Sequence, residues 1–359
     1  MNILVDIGHP AHVHYFRNAI KLLKKNGHKI KITARNRSII KDLLRAYELD
    51  FVDRGEGSNS LVGKLLYMIK ADLQLLNISR KFKPDLFLSF TTPYPAHVSY
   101  LLHKPHIALN DTEHVDKINA LLTHPYCSVI LTPKSYLNNL GQKQIRFNNL
   151  VEGLYLHKNY FRPDRDKIAS LGLKEGEEYV ILRFVSWTAH HDVGQKGIDD
   201  LTKRELIKRL EEKFRVFISS EGNLPEEFKP YSIKILPENM HDVLAYATLF
   251  IGESSTMATE SALLGTQSVY INSLPIMCNI KLGEESGIIR HFRTSEGVIS
   301  YIEDLISSKD LKKLSIQRSV YMQKDFIDAT KFLVWFIENY PGSQIDYINN
   351  EYYNNLAAN

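Results

Sequence analysis

The stretch GESSTMATESALLG, residues 252–265, decides how the chain is read. An apolar run, Leu249-Phe250-Ile251, leads into it and another, QSVYIN at 267–272, follows, the pattern of strand, tight turn, helix and next strand. Ser254, Ser255 and Thr256 crowd the turn where the first strand ends. Open α/β sheets bind ligands at the carboxyl ends of their strands, where small residues let backbone N–H groups and a helix N-terminus approach an anion. Glu260 falls too far into the helix to be a first-turn cap. A Ser-capped helix with one surface glutamate fits the same residues, so the stretch alone leaves both readings open.

The same alternation recurs along the chain. NILVDI at 2–7 reads as a strand, 14–26 as an amphipathic helix stopped by Gly27, and 28–34 as the next strand. Helices over 38–46 and 61–82 and strands at 51–52, 85–90, 105–109 and 128–132 continue the series, with Lys83-Pro84-Asp85 as a turn. Between 160 and 178 the pattern pauses in a charged segment containing Pro and Gly. A second series follows, with strands at 179–184, 215–219 and 233–235 and helices over 199–213 and 242–247. Repeated βα units imply parallel sheets with right-handed crossovers. The expected architecture is α/β, with two Rossmann-like parallel-sheet domains, 1–165 and 166–325, facing across a cleft. Residues 326–359 are expected to form a C-terminal helix and polar tail packing back on the N-terminal domain.

Composition narrows the function classes. With 359 residues and 44% hydrophobic content, each domain can bury its own core. The formal net charge of +4 conceals an asymmetry, +11 over residues 1–165 and −7 over 166–359. The basic half has no arginine-rich arm and no aromatic-basic interleaving, so nucleic acid is not expected; ordinary solvated surface accounts for the charge, and so do anionic headgroups or a phosphorylated acceptor. Two cysteines, Cys127 and Cys278, form no disulfide framework or ligand cluster. MNILVDIGHP reads as a strand running into a loop rather than as a signal peptide, and no apolar run reaches 18 residues, so no membrane span is expected. A cytoplasmic protein is expected, peripheral at the inner face of the cell membrane through its basic N-terminal domain.

Polar residues gather after the expected strands. GHPAHVH at 8–14 places His9 nearest the strand end, as an acid/base or hydrogen-bonding group, with His12 and His14 as acceptor contacts; the spacing matches no metal motif. SFTTPYPAH at 89–97 offers Thr91, Thr92 and His97. In NDTEH at 110–114, Asp111 and Glu113 suit proton removal from a hydroxyl, with His114 as a contact; both carboxylates share a face if strand geometry extends to them, while helix capping accounts for them equally well. In the second half, Arg183 suits a diphosphate with Ser186 as a hydrogen-bond donor beside it, His190 suits a substrate contact or plain surface, and Ser220 sits on another hydroxyl-rich strand edge. Met240 and His241 suit the border of a nucleobase, and a simple helix entrance accounts for them equally well. Neither a Walker A loop nor GxGxxG is present, which weakens kinase and dinucleotide readings.

Together these stretches resemble the two-domain nucleotide-sugar glycosyltransferase fold called GT-B, shared with non-hydrolysing UDP-N-acetylglucosamine 2-epimerases. ILVDIGHPAHVHYF, FVSWTAHHDVGQKG and GESSTMATESALLGTQSVYIN resemble in particular a DUF354-type family within that group. The resemblance implies a nucleotide-sugar donor, with UDP favoured, bound by 166–325 with 1–165 on the acceptor side: Ser254, Ser255 and Thr256 at the diphosphate and Glu260 on the ribose hydroxyls. Ser255-Thr256 replaces the epimerases' two glycines. Phe90 occupies the position of a catalytic epimerase aspartate, although Glu113 matches a second carboxylate. The implied chemistry is metal-independent sugar transfer to a glycan or polyprenyl-phosphate-linked acceptor, with no cofactor. Sugar-nucleotide epimerisation or hydrolysis and noncatalytic nucleotide-sugar sensing are the alternatives.

Overall fold

A computed structural model describes residues 1–57, 61–185, 197–220 and 222–349. The chain divides into two compact units at Tyr160/Phe161, rather than at 165/166, and again at Asp325/Phe326. Unit 1 combines residues 1–160 with the segment from Phe326 onward; unit 2 is Phe161–Asp325.

In unit 1, β1 (Asn2–Ile7), α1 (Pro10–Lys25), β2 (Lys29–Ala34), α2 (Ser38–Ala46), β3 (Phe51–Asp53), α3 (Leu61–Phe82), β4 (Leu86–Phe90), α4 (Pro93–Leu101), β5 (His106–Leu109), α5 (Asp116–Leu122), β6 (Val129–Pro133), β7 (Gln144–Phe147) and α6 (Gly153–Leu156) alternate along the chain. The seven strands pair in parallel in the order β3-β2-β1-β4-β5-β6-β7. β1, β4, β5 and β6 are almost wholly buried, as strands covered on both faces require. The strand order reverses beside β1, so the polypeptide leaves neighbouring strands in opposite directions and opens a crevice at their carboxyl ends. Ile7, Ala34 and Asp53 are in register, and Gly8, Arg35 and Arg54 therefore leave the sheet side by side.

α1 begins at Pro10, not His14. Proline fixes φ for the first helical position and His9 caps the turn, accepting from the Ala11 N–H at 3.3 Å, so His12 and His14 lie within the helix. β7 escapes the sequence reading because it is a four-residue edge strand with alternating burial. The chain returns to unit 1 in α13 (Ala329–Glu338). Ile327 donates its N–H to the Asn148 carbonyl at 3.0 Å and its carbonyl accepts from Asn149 Nδ2 at 2.7 Å, Thr330 donates to the Leu154 carbonyl at 2.6 Å, and Phe332 stacks on Phe147.

Unit 2 contains β8 (Tyr179–Phe184), α7 (Asp200–Glu211), β9 (Arg215–Ser220), α8 (Met240–Tyr246), β10 (Leu249–Gly252), α9 (Ser255–Leu263), β11 (Gln267–Ile271), α10 (Cys278–Glu285), β12 (Ile289–Phe292), α11 (Val298–Ser307) and α12 (Leu311–Met322). Its parallel order is β12-β11-β10-β8-β9, with β10 central. Val180, Leu182, Ile218, Leu249, Ile251 and Val269 fill one apolar core. The strand expected at 233–235 does not form: a single bridge joins Ser232 to Ile218, and Pro230 and Pro237 bracket a segment whose side chains stay at least partly exposed. β12, unforeseen, is another short edge strand. Among the described residues, no helix is long and apolar enough to cross a membrane.

Candidate functional site

Two clusters occupy the carboxyl strand ends, one in each unit. In unit 2, Gly252, Arg183 and Ser219 lie in one row across β10, β8 and β9. Gly252 is required there, since a Cβ would stand 2.6 Å from the Arg183 Cβ and 2.7 Å from its carbonyl oxygen. Arg183 donates to the Ser219 hydroxyl at 2.8 Å, which holds the guanidinium along the strand ends. Ser254 caps α9, accepting from the Met257 N–H at 3.3 Å. Ser255 and Thr256 follow in the first turn, half-buried, and Tyr270 of β11 hydrogen-bonds Ser255. Ser220 is engaged locally with Gly222.

Glu260 is buried one and a half turns into α9, and its Oε1 lies 3.0 Å from His241 Nε2 on α8. The structure thus brings together two residues selected separately from the sequence and joins the helices that carry them. His241 also packs edge-on against Phe161, while Met240 is half-buried at the start of α8. Glu253, buried beside the hydroxyls, is spent on backbone: Oε2 accepts from Val185 N–H at 2.8 Å and Oε1 from Ile198 N–H at 2.7 Å. Ser186 and His190 lie outside the described residues.

In unit 1, His9 stands exposed at the mouth of α1. His12 is buried, accepts from the Gly8 N–H at 3.3 Å and packs 4.8 Å from Phe90; burial, aided by His9 and Arg54, holds its pKa well below the ordinary value. His14 is also buried, bonded to the Tyr47 hydroxyl and packed against Tyr155, so its ring supports the α1 interface. Thr91 turns the chain from β4 into α4 at φ +32°, a conformation that L-residues rarely adopt. Thr92 follows at the cap position of α4 and makes no side-chain capping bond. His97 lies further along α4, with Nδ1 2.9 Å from Asp72 and Nε2 2.9 Å from the Leu122 carbonyl. Both nitrogens are occupied, and the ring ties α3 to the end of α5.

The Asp111–Glu113 pairing by strand geometry fails because β5 ends at Leu109 and Glu113 opens a 3₁₀ turn. Asp111 instead accepts from the Thr112 hydroxyl at 2.6 Å, and Glu113 accepts from the Leu137 N–H at 3.3 Å. Burial, opposed by Thr112 and aided by Glu113, pushes the Asp111 carboxyl up to about 6. His114 lies in the same 3₁₀ turn, half-buried.

Beneath this cluster lies a pair the sequence reading missed. Arg54 Nε and Nη2 donate to the two Asp6 oxygens at 2.8 and 3.2 Å, Thr33 donates to Asp6 at 2.8 Å, and Arg54 Nη1 reaches the Tyr67 hydroxyl at 2.6 Å. Asp6 and Arg54 are wholly buried, and the guanidinium lies 4.5 Å from the Tyr94 ring centre. A Cβ on Gly8 would stand 3.2 Å from Thr92 and 3.6 Å from Arg54, so the pair forms the floor of the His9 turn. The available signal was a lone aspartate inside the apolar run Ile3–Ile7. Among the described residues, no group of three His, Cys, Asp or Glu side chains is arranged to hold a metal ion.

The family model described as "Protein of unknown function (DUF354)" matches residues 1–323. The chain belongs to the DUF354 family. An uncharacterized protein of Methanocaldococcus jannaschii is 24% identical over 322 residues, 86% of this chain and 93% of its own. Among solved structures, a UDP-GlcNAc 2-epimerase from Neisseria meningitidis bound to UDP-GlcNAc aligns with TM-score 0.71 at 16% identity, covering 94% of this DUF354 chain and 99% of the epimerase. The spinosyn rhamnosyltransferase SpnG complexed with thymidine diphosphate aligns with TM-score 0.60 at 13% identity, covering 94% and 100%. These neighbours establish a GT-B-like fold of two parallel-sheet α/β units.

Proposed function

We propose that this protein is a metal-independent glycosyltransferase that takes a sugar from a nucleotide-sugar donor, UDP-linked by preference, and delivers it to a glycan or polyprenyl-phosphate-linked acceptor. The observation that carries the reading is the unit 2 strand-end row, where Arg183 and the hydroxyls of Ser254, Ser255 and Thr256 meet the N-terminus of α9 above the Glu260–His241 pair. That arrangement suits a diphosphate. Its oxygens gain charge as the bond to the anomeric carbon breaks, and helix N–H groups, hydroxyls and a guanidinium stabilise that charge. Glu260 orients the ribose, with His241 holding its carboxylate. Ser220, Met240, Ser186 and His190 are assigned to the donor and the transferred sugar.

The acceptor oxygen attacks the anomeric carbon as the sugar–diphosphate bond breaks, and its proton passes to His9, Asp111 or Glu113. Thr91, Thr92, His12 and His114 shape the acceptor side; His14 and His97 act there through packing. We place the enzyme at the inner face of the cell membrane, reached through its basic first unit. Phe90, packed against His12 and Tyr15 where the epimerase resemblance calls for a carboxylate, supports transfer over epimerisation.

Incubation with a panel of UDP- and dTDP-sugars tests the reading. Transfer to an acceptor, or nucleotide release, is expected; a changed sugar on an intact nucleotide linkage would establish epimerisation, and binding without turnover a sensor. Glu260→Ala should weaken donor binding at least about tenfold, the loss of one charged hydrogen bond. Unaltered affinity across the panel would remove Glu260 from the donor site.

A further inference from the structure

Helix α3 carries an apolar stripe on the side turned away from its own unit. Tyr67, Ala71, Leu75 and Ser79 are buried, at a spacing of four, and seat the helix against the sheet and α4. On the opposite side Val62, Leu65, Leu66, Ile69 and Leu73 are 71%, 56%, 63%, 51% and 62% exposed. At about 100° per residue these five positions fall within an arc of roughly 100°, one continuous strip over three turns. Their combined exposed surface is on the order of several hundred Å², the upper end of what a soluble monomer leaves uncovered in one patch.

The charge around the strip has one sign. Lys64, Lys70, Arg80 and Lys81 are exposed, and Arg80 falls on the azimuth of Leu73 two turns further on. The helix contains a single acidic residue, Asp72, whose carboxylate is turned to His97 at 2.9 Å. A second copy of the chain would set these cations against their own equivalents. An apolar strip with a cationic rim suits a surface with an apolar interior and anionic headgroups, because insertion of the strip and attraction of the lysines and arginines then act together.

We infer that α3 is the segment by which this protein lies on an anionic lipid surface, its axis in the interface plane and Val62, Leu65, Leu66, Ile69 and Leu73 inserted below the headgroups. The inference deepens the membrane placement proposed above and rests on it only for biological setting; the surface stands on its own geometry.

Co-sedimentation of the full chain with phosphatidylcholine vesicles, with and without phosphatidylglycerol, tests it. Binding to the anionic vesicles is expected, falling tenfold or more in Leu66→Asp/Ile69→Asp and in Lys70→Glu/Arg80→Glu, and weakening as salt rises from about 0.1 to 0.5 M. These side chains are exposed, so both variants should keep the parent melting temperature and nucleotide-sugar affinity. Loss of vesicle binding with donor binding intact supports the inference. Full vesicle binding by Leu66→Asp/Ile69→Asp overturns it, as does a parent protein that ignores vesicles. A parent dimer that becomes monomeric in that variant without any vesicle binding assigns the strip to a second copy and overturns it too. Failure of the parent to bind any nucleotide-sugar defeats the transferase reading and leaves the vesicle result interpretable.

Discussion

Replacing Arg54 with alanine should be among the most damaging single changes available in unit 1. The guanidinium and the Asp6 carboxylate are fully buried and joined by two hydrogen bonds, so truncation leaves a carboxylate in the core with only the Thr33 hydroxyl for compensation. It also removes the contacts to Tyr67 and Tyr94. Breaking one side of such a pair costs about 3–5 kcal/mol. A unit of this size loses about 2–4 °C of melting temperature per kcal/mol, so a fall of roughly 6–20 °C is expected. Trp187→Phe leaves Trp335 of α13 as the sole tryptophan, and its fluorescence during heating then reports unit 1. Asp6→Asn should be damaging for the converse reason, an uncompensated cation. The double variant Asp6→Asn/Arg54→Met, having no buried charge, should melt above both Asp6→Asn and Arg54→Met alone. If the two losses simply add, or if Arg54→Ala melts within about 2 °C of the parent, the pair is not coupled as its geometry requires and the reasoning fails.

Two further outcomes follow from the strand ends. Gly252→Ala places a Cβ against the Arg183 backbone, which cannot swing aside, so β8 and β10 must part; a loss of about 1–3 kcal/mol and weakened donor binding are expected, read by thermal melting and titration calorimetry. For Asp111, the folded-state pKa of about 6 lies above the ordinary 3.8, so the protonated form is favoured in the fold. Its stabilising contribution is complete below the unfolded value and is lost as pH rises through about 6. Asp111→Asn should therefore melt higher than the parent at pH 7.5 but not at pH 3.5, while transfer in the parent, if Asp111 accepts the proton, climbs to a plateau above about pH 6 that the variant lacks.

The parts legible in the sequence are those governed by local periodicity. Buried parallel strands such as LFLSF and QSVYI announce themselves as apolar runs, and the turn at 252–256 is marked by its hydroxyls. What escaped depends on partners distant in sequence. Arg54 follows a three-residue strand and meets Asp6 across 48 positions, and β7 and β12 are held as edges by the strands beside them. The Asp111–Glu113 expectation failed because strand periodicity was extended past Leu109, where the chain had already begun a 3₁₀ turn. His241 and Glu260 were each chosen for chemistry, but only the packing of α8 against α9 makes them a pair.

Glu253 has a consequence for how unit 2 comes apart. Its two oxygens hold the amides of Val185 and Ile198, so the chain leaves and re-enters at one carboxylate. One carboxylate beyond the end of β10 thus closes two hydrogen bonds to amides 13 positions apart in sequence, so the residue that follows β8 and the approach to α7 share a single point of failure: a change at Glu253 frees both at once.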